Sequence, residues 1–197
     1  FAGGRLCTPR GELPVGGVPA SSAGPDLREM VLGSEGRLGV LSEVSVRVRP
    51  LPEREDFHAV FFPTWAQGVL AVRNLVQADL PLSMLRLSNE SETETQLTLA
   101  GHEKAVTWLK RYLKLRGSGI QPVMLLMGIT GLNREVLRTR REALTVCKQA
   151  RGVHAGRAMG AAWARKRFAG PYLRNALWEA GYGADTVETC VDWPQVT

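Results

Sequence analysis

Hydrophobic and polar side chains alternate from Val40 to Arg49, where Val40, Val44, Val46 and Val48 interleave with Leu41, Glu43, Ser45, Arg47 and Arg49. That two-residue period predicts a strand. From Pro50 to Glu55 the pattern stops, because prolines flanking a single residue withdraw backbone donors and disfavour both helix and central strand. A second unit starts there. Phe57–Phe62 suits a strand, and Thr64 with Gln67 supplies the cap positions of a helix whose Trp65, Val69, Val72 and Val76 share a face. Leu82–Leu87 reads as a second strand and Asn89–Thr95 as a polar, acidic break. Val106, Leu109 and Leu113 mark a helix ending near Gly117, and Val123–Met127 reads as a strand buried on both faces. Asn133 caps a long helix through Ala150, with Gly152 just past its end. Residues 1–20, rich in Gly and Pro, predict a strand end and loops. The order β-α-β, α, β-α-β predicts an α+β fold with helices packed on one side of an antiparallel sheet.

Composition adds mostly exclusions. Of the 197 residues 44% are hydrophobic and 22% charged, the balance of a globular chain rather than a disordered one. A net charge of +6 permits an anionic partner. The arginines are dispersed, however, with local groups only at Arg138–Arg141 and Arg165–Arg167, and no zinc-finger, basic-zipper or RNA-recognition pattern accompanies them. A nucleic-acid role is therefore not expected. Cys7, Cys147 and Cys190 are an odd count without short spacing, which fits a reducing compartment. His58, His102 and His154 lie far apart in sequence, so no metal site is expected. No apolar run approaches the roughly 18 residues a spanning helix needs, and no amphipathic basic helix stands out. The chain opens on Phe1 rather than Met and reads as an excerpt of a longer polypeptide.

Gly33, Gly36 and Gly39 recur every third residue and feed the first strand. Without a Cβ, such a loop lets its backbone come close to something flat or anionic. The spacing is neither the dinucleotide fingerprint nor a P-loop. On spacing alone, a tight turn and a cofactor loop both remain open.

The surrounding motifs narrow this. Ser21–Leu27 contains G-P-D-L, residues 33–40 read G-S-E-G-R-L-G-V, and Arg49–Glu53 reads R-P-L-P-E. In this order they resemble the end of the flavin domain in the vanillyl-alcohol-oxidase-type FAD family. The resemblance implies FAD as cofactor, contacted by the segment Glu35, Gly36, Arg37, Leu38, Gly39, Val40 and Leu41. Arg37 stands where Thr or Ala is commoner, and Ser42 replaces a common Thr. It also implies two domains: residues 1–52 as the C-terminal portion of the FAD-binding domain, and residues 53–197 as an incomplete, ferredoxin-like α+β cap that binds substrate.

Arg86, within Ser83–Asn89, resembles the R-L-x-[ND] segment of the family branch that contains alkyldihydroxyacetonephosphate synthase; the D-lactate and glycolate branch is usually acidic there. Its spacing alone is equally that of an arginine on a solvated face. The resemblance gives it a supporting role in the active site. Arg174, in Tyr172–Leu177, resembles the family's Y-[ILM]-R-[DN]-x-L helix, whose arginine reaches the anionic group of the substrate. A guanidinium suits that task because its fixed fork stays charged and binds phosphate or carboxylate bidentately. Asp185–Thr189 matches the family's D-T-[VL]-E-T stretch, with Thr186 and Glu188 as pocket candidates. The family's pyrophosphate loop would precede residue 1 and its catalytic tyrosine and histidine-rich loop would follow Thr197, so no general base is expected in this segment.

The resemblance thus implies part of an FAD enzyme that exchanges the acyl chain of acyl-dihydroxyacetone phosphate for a fatty alcohol without net redox. The alternative is an FAD-dependent D-2-hydroxy-acid oxidoreductase of the lactate or glycolate type. Either takes a small anionic substrate. A long-chain substrate adds the expectation of peripheral membrane contact, and a homodimer is expected beside it. The compartment would be the cytoplasm of a bacterium or the peroxisome of a eukaryote.

Overall fold

The computed structural model describes residues 1–19, 23–99, 103–119, 121–168 and 170–196. Ser21, Ser22 and His102, named above, lie outside them. The chain divides into two compact units, Phe1–Leu51 and Pro52–Thr197.

In the first unit, β1 (Gly3–Thr8), β2 (Gly11–Val15) and β3 (Val40–Ser45) form an antiparallel sheet in the order β2-β1-β3, with α1 (Leu27–Val31) between β2 and β3 in sequence. Leu6, Val15 and Val31 make its small core, with Phe1 packed against them. Asp26 starts α1 by accepting a hydrogen bond from the Arg28 backbone N–H at 2.9 Å. Sequence periodicity missed the hairpin because Pro14 interrupts it. Pro14 is tolerated in β2, an edge strand. The expected strand through Arg49 ends at Ser45 instead. Leu6 opposes Leu41 while Arg5 opposes Glu43, so Ser42 is an extra residue; its hydroxyl donates to the Arg5 carbonyl at 3.3 Å. This bulge resets the in-out phase that the valine alternation implied.

The second unit follows the order β4 (Arg54–Phe62), α2 (Trp65–Gln77), β5 (Met84–Ser88), α3 (Glu90–Leu99), α4 (Glu103–Leu115), β6 (Val123–Gly131), α5 (Asn133–Gln149), β7 (Val153–His154), α6 (Ala158–Lys166) and α7 (Gly170–Glu179). Its antiparallel sheet runs β5-β6-β4-β7, which is the ferredoxin-like order. The expected one-sided packing is corrected by two separate cores. Val60, Phe62, Leu125 and Met127 pack with Ala71 and Leu75 of α2 and with Ala143 and Cys147 of α5. From the opposite face, Ala59, Phe61, Met124 and Leu126 meet Leu113 of α4 and the partly buried Met159 and Trp163 of α6. Both sheet faces are therefore covered, as the unbroken apolar run of β6 requires. Full burial of Phe61 and Phe62 stabilises the unit by roughly 2–3 kcal/mol each.

Four further expectations are corrected. Asn89–Thr95 is not a break, because the Asn89 carbonyl side chain accepts from the Glu92 N–H at 2.8 Å and starts α3. The buried face of α2 is Gly68, Ala71 and Leu75, while Val76 is exposed. Asn133 is the first residue of α5 rather than its cap, and its backbone and side-chain amides both donate to the Glu53 carboxylate. The expectation that no amphipathic basic helix stands out is corrected at α4, whose outward stripe of Trp108, Tyr112 and Leu115 is exposed.

Candidate functional site

The glycine loop joins α1 to β3 and lines an open cavity of about 420 Å³ with Gly33, Glu35, Gly36, Gly39, Val40 and Leu41, floored by Leu6 and Val31. Arg37 and Leu38 are exposed and lie outside the lining. The loop turns where Arg37 N–H donates to the Ser34 carbonyl at 2.9 Å. Glu35 and Gly36 hold φ of 51° and 80°, so the turn is of the mirror-image kind and its second position suits glycine. A Cβ on Gly36 would project into open space, whereas one on Gly39 would overlap the Cys7 carbonyl of β1. Gly39 thus fixes the loop to the sheet, and Gly36 keeps its outer face bare.

Arg86 on β5 is half exposed and donates to Glu92 of α3 at 2.5 Å. Glu92 also accepts from Gln96 at 3.0 Å, which orients its carboxylate beside Arg86. Arg174 on α7 has its guanidinium 5.4 Å from the Trp178 ring centroid, one helical turn away. Arg86 and Arg174 therefore have separate partners. Thr186 and Glu188 lie in an exposed segment without regular structure, where the Thr186 N–H donates to Asp185 at 2.8 Å.

Sequence reading missed a buried polar cluster on β4. Asp56 is fully buried, paired with Arg54 at 2.9 Å and with Arg157, just before α6, at 2.5 Å. Two residues along the same face, the buried His58 places Nδ1 3.1 Å from His154 Nε2 across the β4–β7 pair. Two histidines far apart in sequence are thus neighbours in the fold. Burial pushes His58 down to about 4, aided by His154, and lowers His154 as well. The signal was present in Arg54–Phe62, where Asp56 and His58 interrupt a run otherwise fit for a core. Among the described residues, no group of three His, Cys, Asp or Glu is placed to hold a metal. Burial also pushes the Cys147 thiol up to about 12, leaving it unreactive.

Residues 51–197 match the family of FAD linked oxidases, C-terminal domain. The chain is 28% identical over 196 residues to alkyldihydroxyacetonephosphate synthase of Dictyostelium discoideum, covering 96% of this chain and 32% of that protein. A solved structure of alkyldihydroxyacetonephosphate synthase superposes with a TM-score of 0.69 at 26% identity, covering 89% of this chain and 32% of that one. D-lactate dehydrogenase [cytochrome] 1 of Saccharomyces cerevisiae is 34% identical over only 71 residues, 36% of this chain and 12% of that protein. The chain spans about a third of the length of the synthases it matches. With a ferredoxin-like sheet order and a family match over residues 51–197, this chain belongs to the FAD-linked oxidases, of which it carries the C-terminal domain.

Proposed function

We propose that this chain is the end of the flavin-binding domain and the substrate-binding domain of an enzyme that exchanges acyl for alkyl on dihydroxyacetone phosphate, as in ether-lipid synthesis. The observation that carries this reading is the continuity of the likeness to the synthases, which runs through both units, while the lactate dehydrogenase match stops at 71 residues.

The glycine loop fits FAD, because the bare outer face at Gly36 and the cavity beside it can receive a flat ring without displacing a side chain. Glu35, Gly36, Gly39, Val40 and Leu41 would hold the cofactor from this side, and Arg37 and Leu38 would contribute backbone only. The flavin supplies the reactive centre of the family's chemistry. This chain's own residues bind and orient. Arg174 would anchor the substrate phosphate through a guanidinium steadied by Trp178, and Arg86, locked by Glu92, would support the pocket.

A D-2-hydroxy-acid oxidoreductase is the second reading, favoured by the 34% identity of the short dehydrogenase match. Arg174 would then hold a carboxylate. The discriminating measurement is anaerobic flavin absorbance of the full-length protein mixed in turn with D-lactate, glycolate and acyl-dihydroxyacetone phosphate. Fatty-acid release without lasting bleaching supports the synthase; bleaching by a hydroxy acid replaces it with the dehydrogenase. A homodimer and a reducing compartment, cytoplasmic or peroxisomal, belong to the same proposal, the latter supported by three free cysteines.

A further inference from the structure

Strand β7 pairs with β4 through a short ladder, Val60 with His154 and Phe61 with Val153, and α6 follows it in the chain. The segment Val153–Lys166 has further ties to β4. The Ala155 N–H donates to the Ala59 carbonyl at 2.9 Å, Gly160 lies against the Phe57 and His58 backbone, and Trp163 meets the Phe57 ring with centroids 5.6 Å apart. Met159 and Trp163 are only partly buried. The other ties are polar: Arg157 to Asp56, and His154 Nε2 to His58 Nδ1 at 3.1 Å. Among the described residues, the charged and titratable groups facing this contact are Arg54 and Asp56 of β4, Arg140 of α5 and Arg157 at the start of α6, beside the two histidines themselves. Met127, opposite His58 on β6, is apolar. Three guanidiniums thus share the site with one carboxylate before either histidine takes up a proton.

We propose that β7 and α6 form an acid-opened flap on β4, with the contact between His58 and His154 as the seam that reads the proton. With both rings neutral, a single N–H bridges the seam. Protonating one ring adds a cation to a site where the carboxylate of Asp56 is already engaged by two guanidiniums, and protonating both sets two imidazoliums in direct contact. His58 Nε2 is buried without a partner, so the closed flap offers that proton no ready acceptor. Lifting Val153–Lys166 returns both rings to water, where each takes a proton near pH 6.5. The opened flap therefore binds more protons; closure is at full strength above about pH 6.5 and weakens as pH falls below it. The apolar contacts of α6 do not titrate, so the sensitivity lies in the seam. Helix α6 leads in the chain to α7, which carries Arg174, so opening would loosen the proposed substrate anchor. The flap itself does not depend on which reaction the flavin performs, and it is measured without turnover.

The test is peptide-resolved hydrogen exchange on the full-length, flavin-loaded protein from about pH 7.5 to 5, corrected for the intrinsic pH dependence of amide exchange. Val153–Lys166 should open at least about tenfold more often than β6 at every pH, as a local rather than a global event. Below about pH 6.5 its opening should rise by more than about tenfold per pH unit, because two histidines are exposed together. His154→Gln keeps a hydrogen-bonding group that takes no proton, and should bring the slope down to about tenfold per pH unit. Arg157→Gln should raise opening about fivefold at every pH and leave the slope in place. Equal opening of Val153–Lys166 and β6 overturns the flap, since the histidines would then titrate only when the whole unit unfolds. An opening independent of pH overturns the seam, as does a slope that His154→Gln leaves unchanged.

Discussion

His58 Nδ1 and His154 Nε2 stand 3.1 Å apart, a spacing that holds one proton between them. A backbone bond to Gly156 favours the protonated form of His154. With both rings neutral, one of the two nitrogens donates and the other accepts. His58 Nε2 is buried without a hydrogen-bond partner, 3.9 Å from Asp56.

The stability of the second unit should consequently fall in mild acid. Unfolded histidine takes its proton near pH 6.5, but His58 in the folded chain does so only near 4. Between these values the unfolded state binds more protons, so stability is complete above about 6.5 and declines as pH drops toward about 4. The slope is about 1.4 kcal/mol per pH unit for each histidine, and His58 alone accounts for roughly 3 kcal/mol across the window. His154, shifted in the same direction, steepens it. Urea midpoints measured from about pH 7.5 to 4.5 check this, and His58→Gln should flatten the profile. A wild-type midpoint independent of pH over that range contradicts the buried neutral pair.

Asp56 pairs with two guanidiniums from a fully buried position. Asp56→Asn removes the shared charge and leaves Arg54 and Arg157 facing one another, at an expected loss of about 3 kcal/mol. Arg157→Gln should cost only about 1 kcal/mol, because half of that side chain is exposed and screened. Calorimetry on both variants separates the cases; equal shifts would mean that Asp56 contributes through packing rather than charge.

Helix α6 rests directly on β4. A Cβ at Gly160 would overlap the Phe57 carbonyl and the His58 nitrogen, which are sheet backbone and cannot rotate away. Gly160→Ala should therefore destabilise by about 2–3 kcal/mol despite a better helix former at that position. Gly183→Ala, with nothing near its Cβ, should stay within about 0.5 kcal/mol. Matching melting temperatures for the two variants would refute the close contact.

Much of this was legible in the sequence where side-chain period and backbone period coincide. Val123–Met127 is an uninterrupted apolar run and Phe57–Phe62 is broken only by His58, and both are core strands. The buried run of β6 already required cover on both faces, so the expectation of one-sided helices overlooked a constraint it contained. Asn89–Thr95 misled because its polar residues serve the start of a helix: Asn89 caps it, and buried Thr93 accepts from the Met124 N–H at 3.1 Å. The stretch after Ser45 misled because Ser45 pairs with Gly3, the first residue of β1, and the ladder ends there although the valine alternation continues. No local pattern could pair His58 with His154, since a β-ladder joins them across 96 residues.

The turn at Glu35 and Gly36 offers a test of the cofactor loop. Glu35 occupies a left-handed conformation that costs a non-glycine residue about 1 kcal/mol, so Glu35→Gly should be neutral to stabilising by up to that amount. Gly36→Val places a branched side chain at φ 80° on the bare face of the loop, and flavin retention should fall about tenfold or more while the second unit keeps its melting behaviour. Full flavin content in Gly36→Val would move the cofactor contact away from this loop.

Arg174 carries the sharpest functional prediction. Its stacking on Trp178 steadies the plane of the guanidinium, and the N–H edge of that plane can grip an anion with two parallel hydrogen bonds. Losing a charge-assisted pair of this kind costs about 1.5–3 kcal/mol, so Arg174→Ala should raise KM or lower kcat/KM by about 10- to 150-fold with flavin still bound. Arg174→Lys should recover only part of this, because an ammonium holds the charge without the fork. Trp178→Leu, which leaves the charge but removes its support, should give an intermediate loss concentrated in KM. Steady-state kinetics of the three variants decide the matter: near wild-type values for Arg174→Ala remove the anchor from α7, while equal losses for Ala and Lys locate its contribution in geometry rather than in charge alone.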